Sequence, residues 1–252
     1  MLEIADIPLE PTKPDLPGTV LVRPSADEVI DAAAADLLIQ AWNCVRTFGD
    51  FHFAISASAE IEPFVRRLMF DPALRDFPWK RTHVWHVDDA VLDPGSSEEP
   101  RARRLHELLV EHADIPEDQV HAFDAALPSS AAAYEMQLRE HLGWREKGHD
   151  RLDCVLVAIS GDAPHGRLSA AHAAQPDKPA LVGEAQVGGR RWIGMTLRLL
   201  NASRFIAVLA LGETQRPRVA SLTQGSVHPG GGLRPLGGEL RWYLDAAACP
   251  TT

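Results

Sequence analysis

The chain has 252 residues, 45% of them apolar and 24% charged, with a formal net charge of −10. That supplies apolar material for one large α/β domain or two small ones. The acidic balance argues against nonspecific binding to nucleic acid or to an anionic membrane, and leaves room for a small anionic ligand at a locally basic site.

Residues 1–18, with four prolines in mixed acidic and apolar surroundings, read as an N-terminal arm. Residues 19–252 read as a single domain. Thr19 to Arg23 is a short strand. Ser25 and Glu28 fit a capping box, opening a long Ala- and Leu-rich helix to about Thr47. "FHFAISA" (51–57) is a strand, and Pro63 to Phe70 is a helix that Pro72 ends. "THVWHV" (82–87) is a strand running into Asp88 and Asp89. Residues 97–113 and 129–142 carry helical periodicity, with "IPEDQVHAF" between them as a linker into a short extended piece.

A buried strand at 152–159 leads into the loop "SGDAPHG", Ser160 to Gly166. Extended segments follow at 180–187 and 192–199, then a strand at 204–212, a helix around 217–224 and a last helix from Gly238 to Ala248. Several strands are continuous apolar runs alternating with helices. The pattern predicts an α/β fold with a mostly parallel sheet covered on both faces. Ligands of such folds bind beyond the carboxyl ends of the strands, so the loops after Ala57, Val87, Ile159 and Leu211 are the candidates.

In those loops, His165 is a candidate general base for activating water. Asp162 either orients its imidazole or caps the turn. Asp88 and Asp89 are a carboxylate pair suited to sugar hydroxyls, acid–base work or a metal. Ser58 sits at a helix start, where Glu60 suits the helix dipole and opposes a phosphate. Arg216 opens the helix after Leu211.

Other features carry less chemistry. His83 and His86 are three apart on a strand and therefore fall on opposite faces. His121, His141, His149 and His172 have no ligand spacing and read as surface or core histidines, so no metal is expected. Cys44, Cys154 and Cys249 are odd in number and widely separated, as core thiols of a reducing compartment are. The start of the chain lacks the basic and apolar regions of a signal peptide, and no stretch approaches ~20 apolar residues, so a cytoplasmic location is expected.

Five stretches, in order over roughly residues 19–248, resemble the 6-phosphogluconolactonase family, a relative of glucosamine-6-phosphate isomerase/deaminase. They are "FPWKRTHVWHVDDAVL", "IPEDQVHAF", "AAAYEMQLREHLG", "LRLLNASRFIAVLALG" and "LRPLGGELRWYLDAAA". The resemblance implies a sheet-centred fold of the ribose-5-phosphate isomerase and CoA-transferase kind, and hydrolysis of 6-phosphogluconolactone without metal or organic cofactor.

The family's active-site motifs are altered here. Its Gly-Gly-Ser-Thr-Pro loop is Ala57-Ser58-Ala59-Glu60-Ile61, and its Asp-Glu-Arg is Asp88-Asp89-Ala90. With His165 on the family His, Ala163 and Pro164 take the preceding Asp and Gly positions, and Asp162 lies one residue out of register. A family Arg aligns with Trp192, beside Arg191, and a family Lys with Gln215, beside Arg216. Each charged hydrogen bond to a phosphate is worth about 1.5–3 kcal/mol, so these losses disfavour a phosphorylated ligand.

Two functions follow from the resemblance. One is a lactonase in which His165 and Asp162 activate water, while Ser58, Asp88, Asp89, Arg191 and Arg216 bind the sugar lactone or sugar phosphate. The other is a noncatalytic module that binds a ligand or a protein partner. An isomerase/deaminase needs a proton-shuttling carboxylate that the sequence does not place.

Overall fold

The computed structural model describes residues 12–92, 99–124, 130–143, 151–159, 180–224 and 232–251. In chain order the first half contains β1 (Thr19–Arg23), α1 (Ala26–Phe48), β2 (Phe51–Ile55), α2 (Glu62–Phe70), β3 (Thr82–His86), β4 (Asp88–Ala90), α3 (Arg101–Leu105) and β5 (Val120–His121). The second half contains α4 (Ser130–Leu142), β6 (Cys154–Ala158), β7 (Val182–Val187), β8 (Arg190–Met195), α5 (Leu197–Ala202), β9 (Phe205–Ala210), α6 (Arg216–Thr223) and β10 (Glu239–Asp245).

Seven strands form one sheet in the order β1-β10-β9-β6-β2-β3-β5, and every pairing in it is parallel. A smaller antiparallel sheet, β4-β8-β7, adjoins it. This is the mostly parallel α/β fold expected from the sequence. Alternate residues of the central strands feed two separate cores. Phe51, Phe53 and Ile55 of β2 pack with α1 and α2, together with Cys154, Leu156 and Ala158 of β6 and Phe205, Ala207 and Leu209 of β9. Ala54, Val155, Val157, Ile206 and Val208 face the other way, toward Tyr134, Leu138 and Leu142 of α4 and Leu199 and Leu200 of α5. Burial on both faces explains why these strands read as unbroken apolar runs.

The start of α1 follows its sequence signal. The Ser25 hydroxyl accepts from the Glu28 amide at 3.3 Å, although the Glu28 carboxylate takes the Ser25 hydroxyl and not the Ser25 amide. Gly49 ends the helix in the left-handed region, at φ 93°, with its N–H on the Val45 carbonyl. No atom crowds a side chain there, so the conformation alone opposes one. Gly49→Ala is expected to cost about 1 kcal/mol, read as a lowered urea midpoint.

Three expectations are corrected. The last segment is a strand and not a helix. Its Ala-rich tail suggested a helix, but Leu240, Trp242 and Leu244 alternate at period two into the α4-side core. The strand slots between β1 and β9. Gly238, just before it, passes so close to the Ser203 carbonyl that a Cβ would lie 2.2 Å away. Next, the extended segment expected over 192–199 stops at Met195, and α5 begins at Leu197. Finally, Asp88 and Asp89 lie in β4 rather than in a loop, because β8 offers them an antiparallel partner.

Candidate active site at the carboxyl ends of the strands

The carboxyl ends of β2, β3 and β6 lie side by side, and the polar residues just beyond them are buried. Ser56 follows β2 and is tied to β6 by its amide, which donates to the Leu156 carbonyl at 3.0 Å. Its hydroxyl donates to Asp88 Oδ1 at 3.4 Å, and both side chains are almost fully enclosed. Ser58 occupies the capping position of a single 3-10 turn, Ala59–Ile61, yet its hydroxyl makes no capping bond. That hydroxyl is buried and has no partner among the described residues. A small pocket opens here, with Ser56, Ser58, Glu62, Arg104 and Leu105 in its walls.

Arg104 is the cation of this pocket. It forks onto Glu62, with Nε to Oε1 at 2.9 Å and Nη2 to Oε2 at 3.2 Å. The guanidinium holds the Glu62 carboxyl below its ordinary pKa. The pocket wall is therefore charge-balanced and not a bare cation waiting for an anion.

Asp89 is used differently from Asp88. Its carboxylate accepts from the amides of Ala90 at 2.7 Å, Arg101 at 3.1 Å and Ala102 at 3.0 Å. Two of these are the first amides of α3, whose own preceding residue is Pro100 and offers no side-chain cap. Asp89 thus caps α3 from another strand. Burial pushes its carboxyl above the ordinary range, and the three amides pull against that shift.

His86, the last residue of β3, is also enclosed. Neither ring nitrogen has a partner among the described residues. Burial lowers it to about pKa 4, with Asp88 opposing the shift and His106 adding to it. It is neutral at pH 7.

The two arginines singled out from sequence are engaged elsewhere. Arg191 lies on the β7–β8 hairpin, half-exposed, with Nη2 on Glu184 at 3.0 Å. Its neighbour Trp192 is buried and stacks under Arg101, 4.6 Å from the ring centre. Arg216 donates from Nε to the carbonyls of Ala247 and Cys249, and from Nη1 to Glu213 at 3.0 Å. His165 and Asp162 lie outside the described residues. So the structure brings Ser56, Ser58 and Asp88 together, places Asp89 beside them as a helix cap, and sets Arg191 and Arg216 in other contacts. Sequence reasoning missed Arg104 and His86. Arg104 sits 42 residues from Glu62, in a run that reads as an ordinary amphipathic helix.

The model of the family described as glucosamine-6-phosphate isomerases/6-phosphogluconolactonase matches residues 24–242. The chain belongs to that family. The GDH/6PGL endoplasmic bifunctional protein of Homo sapiens is 29% identical over 242 residues, covering 89% of this chain. The chain spans only 29% of that relative's length. The 6-phosphogluconolactonase of Haemophilus influenzae is 20% identical, with 89% of this chain and 96% of that protein covered. The crystal structure of the Thermotoga maritima 6-phosphogluconolactonase superposes with a TM-score of 0.71 at 19% identity, over 90% of this chain and 99% of that one. The family match takes in every described strand except β1 and the last three residues of β10, and the fold matches over nearly the full length of that structural neighbour. Among the described residues no helix is long and apolar enough to cross a membrane.

Proposed function

We propose that the chain hydrolyses a sugar lactone at the carboxyl ends of β2, β3 and β6. Its membership of the family supports the reaction class. The balanced Arg104–Glu62 wall of the pocket is the observation that carries the substrate class. A phosphate monoester brings nearly two negative charges and needs uncommitted cations and donors. Here the arginine is already matched by a carboxylate, and Glu60 adds another acid to the loop. An unphosphorylated lactone suits that balance, with the buried Ser58 hydroxyl and the Ser56–Asp88 pair receiving its hydroxyls.

In this mechanism His165 takes a proton from water as the oxygen attacks the lactone carbonyl. The tetrahedral intermediate collapses, the ring C–O bond breaks, and the leaving alkoxide receives the proton. Asp162 orients the imidazole. The test is hydrolysis of freshly made gluconolactone beside 6-phosphogluconolactone, with spontaneous hydrolysis subtracted. The expected result is enzymatic turnover of the unphosphorylated lactone that His165→Ala abolishes. Preference for the phosphorylated lactone would overturn the substrate class, and no turnover of either would overturn the reaction.

A second reading is a noncatalytic binding module. It is favoured by Arg216, beside a position that resembles a family lysine, because its Nε is held by the carbonyls of Ala247 and Cys249 and its Nη1 by Glu213.

A further inference from the structure

At the opposite, amino-terminal end of the sheet four histidines converge from three strands and a helix. Strand register sets His52 of β2 against His83 of β3, and Trp85 of β3 against His121 of the edge strand β5. The α4 helix runs back along this face and brings His141, in its last turn, onto them. The rings of His83 and His121 are nearly parallel, with centres 5.4 Å apart, and His141 meets His121 at 4.7 Å and 66°. We propose that His83, His121 and His141 form a binding site for a divalent transition-metal ion of the zinc type.

Geometry favours the site. One ring nitrogen from each of the three histidines lies within 4.8 Å of the other two. His83 Nδ1 and His121 Nε2 are 3.1 Å apart. Two nitrogens held tetrahedrally at zinc distances are about 3.3 Å apart, so the pair already has nearly the required span. On binding, one of these two rings changes tautomer so that both lone pairs face the ion. No proton is lost.

The hydrogen bonds select ligand-ready tautomers. His141 Nδ1 is 2.9 Å from the Gln137 carbonyl, which can only accept. Nδ1 therefore carries the proton, and Nε2 presents its lone pair. The Gln137 side chain bonds His121, so one residue orients two of the ligands from outside. Trp85 stacks on His121 with ring centres 3.6 Å apart, which fixes that ring's plane. His83 and His141 are half-exposed, which gives the ion an entry path and a water as its fourth ligand.

A second grouping, Asp50 with His52 and His83, also brings three ligand atoms together. It is the poorer cage. His52 Nδ1 accepts from the Trp85 indole at 3.0 Å. An indole N–H only donates, so the His52 proton is on Nε2, facing Asp50 Oδ2 at 3.6 Å. His52 would have to become an anion to bind metal as well.

The proposed site is distinct from the lactone pocket. His83 is the second residue of β3, whereas Asp88 lies beyond the carboxyl end of that strand, in β4 of the other sheet. An ion there ties the two-residue edge strand β5 and the end of α4 to β3.

The test uses the full chain after chelator treatment. Zn²⁺ is titrated by calorimetry, and Co²⁺ by visible absorption. The expected result is one equivalent of Zn²⁺ bound, with Kd on the order of micromolar or tighter. Co²⁺ should give the intense visible bands of tetrahedral coordination, which Zn²⁺ displaces. His141→Ala should weaken Zn²⁺ at least ~100-fold and remove the bands, and Gln137→Leu should weaken it ~10-fold. His112→Ala, an exposed histidine outside the cluster, should change neither. His83→Gln serves as a second ligand variant should His141→Ala fold poorly. A Kd weaker than ~100 µM, or tight binding that survives loss of His83 or His141, would overturn the proposal.

Discussion

Asp89→Ala is expected to lower the folding free energy by about 4 kcal/mol. The side chain is fully enclosed, and its carboxylate satisfies three amides from two separate segments. A hydrogen bond to a charged group contributes about 1.5–3 kcal/mol, and an amide left buried without a partner costs about 1–3 kcal/mol. Against that, removing a buried charge recovers part of its desolvation cost, which is the effect that pushes this carboxyl upward. Three lost acceptor contacts outweigh one recovered desolvation. Asp89→Asn keeps one acceptor oxygen but turns an NH₂ toward one of the amides, so about half the loss is expected. Urea denaturation reads both variants. A loss under about 1 kcal/mol for the alanine variant would mean that water caps α3 equally well. Activity should fall as well, because α3 carries Arg104 into the pocket and Arg101 onto Trp192.

That double use of Asp89 shows what a single sequence could and could not say. The Asp88–Asp89 pair was legible as two adjacent carboxylates beyond the end of a parallel strand. Its division of labour was not, because the amides that Asp89 caps are 12 and 13 residues away and become neighbours only through β4. Apolar runs made β2, β6 and β9 plain, as burial on both faces demands. β10 was misread because its period-two apolar residues run into three alanines that suit a helix equally well. Arg104 escaped notice because Glu62 reaches it across the packing of α2 on the helix that α3 begins. The histidine cluster carried no motif for a related reason. Its spacing is set by cross-strand register, not by any local repeat, so residues read as unconnected core or surface histidines meet in space.

Acid should destabilise the fold through His86. An exposed histidine in the unfolded chain titrates near pKa 6.5, whereas His86 in the fold is lowered to about 4. Between these values the unfolded chain binds a proton that the folded chain refuses. The contribution of neutral His86 is therefore fully present above about pH 6.5 and is lost as the pH falls toward 4. The difference of about 2.5 units corresponds to about 3 kcal/mol. Burial is the main cause; the Asp88 carboxylate works against it, and His106 works with it. Other groups, His121 among them, titrate in the same window, so the quantity to read is a difference. Wild type and His86→Gln are compared by urea denaturation at pH 7 and pH 4. The wild type should lose about 3 kcal/mol more than the variant, which has no proton to take up there. Equal losses would mean that His86 accepts its proton within the folded chain. A counter-charge or solvent would then reach its ring, and His86 would belong with Asp88 and Ser56 in the chemistry of the pocket rather than with the core beneath it.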